Sequence, residues 1–135
     1  MNVRPIREGL FDESGPAPRL VGGHCSRCGH VAFPAGANCE NCGAAPMERR
    51  PLSNGARLIC ATRVHMPTQH FAPGFAVGYV RLDSGQRLFT QLAPELADRP
   101  EGTALRLQLD VLWTAQDQGV RGYRFVAAEE ASGHA

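Results

Sequence analysis

The sequence contains no lysine; all 14 of its basic residues are arginines. Any cationic contact to a phosphate or carboxylate must therefore use the planar guanidinium fork. Charge of one sign is also missing, since 13 acidic residues leave a formal net charge of +1 and a pI of about 7.7, below the values above ~9 of a dedicated nucleic-acid domain. This balance disfavours nucleic acid as the partner. No apolar run approaches the ~20 residues of a membrane span. The opening Met1-Asn2-Val3-Arg4-Pro5-Ile6-Arg7-Glu8 lacks the apolar stretch of a secretory signal. The expectation is a soluble, cytoplasmic protein with no membrane contact. At 135 residues the chain has room for a small module joined to a compact domain, which excludes a large multi-domain enzyme.

Cysteine is what the sequence does have. Cys25, Cys28, Cys39, Cys42 and Cys60 are odd in number, which argues against a secreted disulfide framework. Four of them form two Cys-x-x-Cys-Gly knuckles, Cys25-Ser26-Arg27-Cys28-Gly29 and Cys39-Glu40-Asn41-Cys42-Gly43. Each knuckle lets two thiolates converge on one ion, and four thiolates give the tetrahedral sulfur site that zinc favours. An iron centre with the same ligands is the chemical alternative. The glycine after each second cysteine permits the positive φ of a tight knuckle. Four sulfurs leave no coordination position for water or substrate, so one structural zinc is expected rather than a catalytic one. His24 and His30 flank the first knuckle, but four thiolates already complete the set.

Along the chain, residues 1–18 show no sustained period and read as an N-terminal arm or ordered extension, with Leu10 and Phe11 as anchors. Residues 19–50 are rich in Gly, Cys and Pro with few apolar residues, so this ribbon needs a metal staple. Residues 51–128 have strand texture. Ala56, Leu58, Cys60, Val64 and Met66 alternate with polar positions, which puts Cys60 on the core face. Phe75 to Leu82 reads as a strand buried on both sides, and Asp83-Ser84-Gly85 turns it into a hairpin with Gln86 to Leu92. Pro94 to Asp98 is a short helix bounded by Pro100 and Gly102. Leu105, Leu107, Leu109, Val111 and Trp113 share one strand face, a polar turn follows at Gln116 to Gly119, and a last strand includes Tyr123 to Ala127. Residues 129–135 read as a flexible tail. Five strands with a short helix between the third and fourth are the element order of an OB-fold barrel. The fold expected is mainly β: a rubredoxin-like zinc ribbon followed by a five-stranded OB barrel with one short helix.

The knuckles with their surroundings, Pro18 to Pro34 and Cys39 to Gly43, together with Leu52-Ser53-Asn54-Gly55, Phe75 to Gly85 and Tyr123-Arg124-Phe125, resemble the zinc-ribbon/OB-fold proteins associated with acyl-CoA enzymes. The arm Arg4 to Phe11 is similar to the opening of the branch that accompanies thiolases of the lipid-transfer-protein-like kind. The resemblance covers roughly residues 4–127. It implies a non-catalytic partner subunit of a thiolase or hydratase, stabilising the complex and helping to form its acyl-CoA site. The large subunit carries the acyltransferase chemistry in such complexes.

No residue set in the chain forms a convincing catalytic constellation, and no Gly-x-Ser-x-Gly motif surrounds a serine. As an isolated chain, the protein is not expected to be an enzyme. If a coenzyme A thioester sits at a shared interface, Arg27, Arg49, Arg50, Arg57 and Arg63 are the candidate phosphate forks. His70 and Phe71 lie in the loop between the first two barrel strands, where OB folds often bind ligands. Two alternatives stand beside the thiolase reading: partnership with a MaoC-like enoyl-CoA hydratase, and single-stranded nucleic-acid binding. The second requires aromatic and basic residues interleaved on a barrel face, for which Arg87-Leu88-Phe89 and Tyr123-Arg124-Phe125 are weak candidates.

Overall fold

Alternating apolar residues close the second half of the chain into a barrel. The computed structural model describes residues 2–43 and 47–128, and the expected tail at 129–135 lies outside the described residues. The strands are β1 (Asn2–Pro5), β2 (Phe11–Asp12), β3 (Arg19–His24), β4 (Val31–Ala32), β5 (Glu48–Pro51), β6 (Gly55–Val64), β7 (Phe75–Leu82), β8 (Arg87–Leu92), β9 (Ala104–Ala115) and β10 (Gln118–Ala127). A 3-10 turn at Pro94–Asp98 lies between β8 and β9 and drives Leu96, fully buried, into the core. Strands β6, β7, β8, β10 and β9 are hydrogen-bonded in that order, and the β6–β9 pairing closes the ring. The β8–β10 contact is parallel while the other ring pairings are antiparallel. This strand order and the helical turn after the third strand make the ring an OB barrel. Its centre is filled by Leu58, Val80, Leu82, Leu92, Leu107 and Phe125.

The ribbon is built on β3, which pairs with β2, β4 and β5. Among the described residues its private core is Cys25, Cys39 and Met47, with Ala32 packed against them. Other ribbon side chains face the barrel: Leu20 is fully buried in the barrel's own cluster with Leu52. Tyr123 of β10 meets Phe11 and Phe33 edge-on at 6.3 and 6.0 Å. The Asn54 amide donates to the Pro18 and Leu107 carbonyls at 2.7 and 3.3 Å, pinning the ribbon's entry to β9.

Three expectations change. Cys60 is exposed rather than buried, because a bulge between Leu58 and Cys60 inserts an extra residue and reverses which side chains point inward. The same strand passes close over β7, where Ala61 pairs with Gly78. Strand β7 is buried on one face only: Ala76, Val80 and Leu82 point in, whereas Tyr79 remains 43% exposed. On β9 the expected core face loses its cover along the strand: Leu105 and Leu107 are buried, Leu109 is half-buried, and Val111, just before a second register shift at Leu112, is 41% exposed. The arm is an ordered extension. Strand β1 pairs in parallel with β10 from Asn2↔Gln118 to Pro5↔Arg121, and β2 pairs with β3. Strands this short show no readable period. Beyond β2, Glu13 forms an ion pair with Arg121, whose guanidinium holds the Glu13 carboxyl below the usual range. Leu10 is buried and Phe11 half-buried, as anchors should be.

A Cβ at Gly78 would stand 2.1 Å from the Cys60 carbonyl oxygen and 2.9 Å from the Ala61 Cα, both backbone atoms that cannot rotate away. Gly78→Ala is therefore expected to destabilise the barrel by about 3 kcal/mol, at the upper end of overpacking costs. Urea unfolding read by circular dichroism measures this, and an unchanged midpoint would contradict the close approach.

Candidate metal centre

Both knuckles adopt one local geometry. The N–H of Gly29 donates to the Cys25 carbonyl and that of Gly43 to the Cys39 carbonyl, each at 2.9 Å. The two glycines have φ of 79° and 77°, the left-handed conformation that a side chain disfavours. The repeated turns point four sulfurs at one place. Cys25 and Cys42 Sγ atoms are 3.6 Å apart, as are those of Cys28 and Cys39, and all four lie within 4.8 Å of one another. A tetrahedron with zinc–sulfur bonds of about 2.3 Å has edges of about 3.8 Å. The donor set thus fits a single zinc ion held by Cys25, Cys28, Cys39 and Cys42.

The surroundings favour thiolates. Cys28 receives a hydrogen bond from the Asn41 amide at 3.5 Å, and this bond, followed by the backbone N–H of His30, brings its thiol down to about 6. The N–H of Cys28 donates to Cys25 Sγ at 3.5 Å and is the largest cause of that thiol's lowered pKa. Cys25 and Cys39 are buried, while Cys28 and Cys42 are exposed. Asn41, the second intervening residue of the second knuckle, had no assigned role in the sequence. Only the folded approach of the two knuckles reveals it. His30 is not a ligand here: its Nε2 lies 3.1 Å from Glu40 Oε1, tying one knuckle to the other. Among the described residues, the four cysteines are the metal-ligating cluster, and His24 is outside it. With all four positions taken by sulfur, the ion has a structural task.

The remaining candidate residues fall in several places. Arg27 is exposed on the first knuckle. On β5, Arg49 donates to the Gly9 carbonyl and Arg50 pairs with Glu48 at 3.0 Å. Arg57 and Arg63 lie on the same strand, six residues apart, a separation of about 20 Å at the usual rise. Arg63 bridges the Gly74 and Pro94 carbonyls and Asp98, so it ties the loop after β6 to the 3-10 turn. His70 stacks flat on Trp113 at 4.2 Å, and Phe71 meets Trp113 edge-on at 5.9 Å. The five arginines are thus spread over the first knuckle, β5 and the two ends of β6, whereas His70 and Phe71 share one aromatic cluster.

Purified without added metal, the chain is expected to hold one zinc ion. Replacing a buried ligand, Cys39→Ser, should drop zinc below one per chain and lower the unfolding midpoint, since zinc contributes on the order of 10 kcal/mol to small metal modules. Elemental analysis with thermal unfolding tests this; full zinc content in the variant would contradict the assignment.

Comparison with known proteins agrees with this geometry. Residues 12–48 match the family model described as the ChsH2 rubredoxin-like zinc ribbon domain. A curated relative, the benzoylsuccinyl-CoA thiolase subunit BbsA of Thauera aromatica, is 31% identical over 78 residues, covering 58% of this chain and 54% of that protein. The chain therefore aligns with about half the length of that relative. Among solved structures, that of an Ltp2-ChsH2(DUF35) aldolase superposes with a TM-score of 0.65 at 24% identity, covering 82% of this chain and 85% of that one. A DUF35-family protein of unknown function from Sulfolobus solfataricus superposes with a TM-score of 0.52 at 14% identity, covering 81% and 75%. At these identities the structures establish a shared fold. The match at residues 12–48 puts a rubredoxin-like zinc ribbon where the four cysteines converge, and the described residues have the zinc-ribbon and barrel architecture that the sequence resemblance implied.

Proposed function

We propose that the chain is a non-catalytic partner subunit of an acyl-CoA-processing enzyme, in the first place a thiolase, which it stabilises and whose acyl-CoA site it helps to form. The observation that carries this reading is the 31% identity with a thiolase subunit. The closed four-cysteine centre supports it from the chemical side: an ion with four protein sulfurs can hold a fold together but has no position at which to polarise a thioester carbonyl. An aldolase acting on a related thioester is the second candidate partner, favoured by the fold shared with the Ltp2-ChsH2(DUF35) aldolase. Cytoplasmic location accompanies this reading. No helix among the described residues is long and apolar enough to cross a membrane.

Reconstitution tests the proposal. Co-expression with the thiolase-like subunit of the source cell should give a complex of fixed stoichiometry that cleaves or forms a 3-oxoacyl-CoA, with neither chain active alone. Thiolysis by this chain without a partner, or full activity of the large subunit without it, would overturn the reading.

A further inference from the structure

The outward face of β6, β7 and β8 carries charges in an arrangement that folding alone disfavours. Arg57 stands directly opposite Arg81, and Arg81 directly opposite Arg87, so three exposed guanidinium groups form one row across three strands. Adjacent strands are only about 4.8 Å apart, and like charges directly opposite each other destabilise a sheet. No carboxylate among the described residues pairs with any of the three; ion pairs there use Arg19, His30, Arg50, Arg63 and Arg121. Arg57 and Arg81 donate instead to the carbonyls of Gly102 and Gly85, at 3.3 and 3.5 Å. The row therefore has unused capacity for anions.

The next outward row is apolar. Tyr79 and Phe89 are paired across β7 and β8 with their rings 5.3 Å apart, and they are 43% and 59% exposed. Phe89 also forms one wall of a groove of about 370 Å³ whose other walls include Phe71, Leu112 and Trp113. Arginine, tyrosine, phenylalanine and tryptophan are enriched at protein interfaces. The Arg87 guanidinium lies 5.9 Å from the centre of the Tyr79 ring, so the charged row and the apolar row meet in a cation–π contact. A strand of nucleic acid would satisfy the cations and leave the apolar groove uncovered.

We propose that this face, from the Arg57-Arg81-Arg87 row to the Phe89 groove, docks an acidic patch of the partner enzyme that sets carboxylates on the arginines and an apolar side chain in the groove. The inference rests on the partner-subunit reading and adds to it the surface used and the chemistry of the partner. The charge complementarity of the unpaired row is what selects this occupant.

The test is affinity capture from the source cell with tagged wild-type chain and the double variant Arg81→Gln/Arg87→Gln. The variant removes like-charge repulsion, so its unfolding midpoint should stay level or rise, which separates a binding defect from misfolding. Wild type should capture an acyl-CoA enzyme subunit, the variant should bind that subunit at least about tenfold more weakly, and salt well above about 0.15 M should bring wild type toward the variant. Phe89→Ala should weaken capture at any salt concentration. Equal capture by wild type and the double variant overturns this inference and leaves the partner-subunit reading intact. Failure of the wild type to capture any such enzyme overturns both. Binding of coenzyme A or of a single-stranded oligonucleotide that the double variant abolishes assigns the row to a different occupant and overturns the proposal.

Discussion

Convergence of four sulfurs on one point is the constraint from which the N-terminal third takes its shape. The ribbon has a private core of Cys25, Cys39 and Met47, two of which are ligands. Burial of so little apolar surface cannot offset the backbone entropy of ordering the segment. A tetrathiolate ion supplies the deficit, and the positive-φ glycines and the hydrogen bonds to Cys25 and Cys28 prepare the sulfurs for it. The centre therefore stabilises the ribbon and offers no open coordination position for substrate chemistry.

The barrel in turn supplies what the ribbon lacks. Leu20 leaves the ribbon strand to enter the barrel cluster, and Tyr123 meets both Phe11 and Phe33 edge-on. The chain thus contains two kinds of stability, one from metal coordination and one from apolar burial, joined through a shared layer. An arm strand added to β10 and the Glu13–Arg121 pair strap the first residues onto the same body. Such a rigid, two-part body suits a subunit whose proposed task is to present a surface.

Much of this was legible in the sequence. The knuckle repeat identified the ligands residue by residue, because metal geometry tolerates few spacings. The strand alternation and the Pro94 turn gave the barrel, because its inner face must be apolar. What failed were features set by pairing rather than by local pattern. Cys60 lies beyond a bulge, which has no signature in a single strand's periodicity, and Val111 keeps the core-facing register of β9 but lies where that face loses its cover. Strands β1 and β2 are too short to show a period. The arginine row was partly accessible, since a hairpin across Asp83-Ser84-Gly85 already puts Arg81 beside Arg87, but Arg57 joins them only once the β6 register is known. The emphasis on Arg63 as a ligand fork met a different limit: its guanidinium is occupied by Gly74, Pro94 and Asp98.

A structural ion differs from a catalytic one in one directly measurable respect, the first coordination shell. X-ray absorption at the zinc edge of the purified chain, with and without an acyl-CoA, tests this most directly. The account predicts four sulfur neighbours at about 2.3 Å in both samples. A nitrogen or oxygen neighbour, or a shell that changes when the thioester is added, would contradict it.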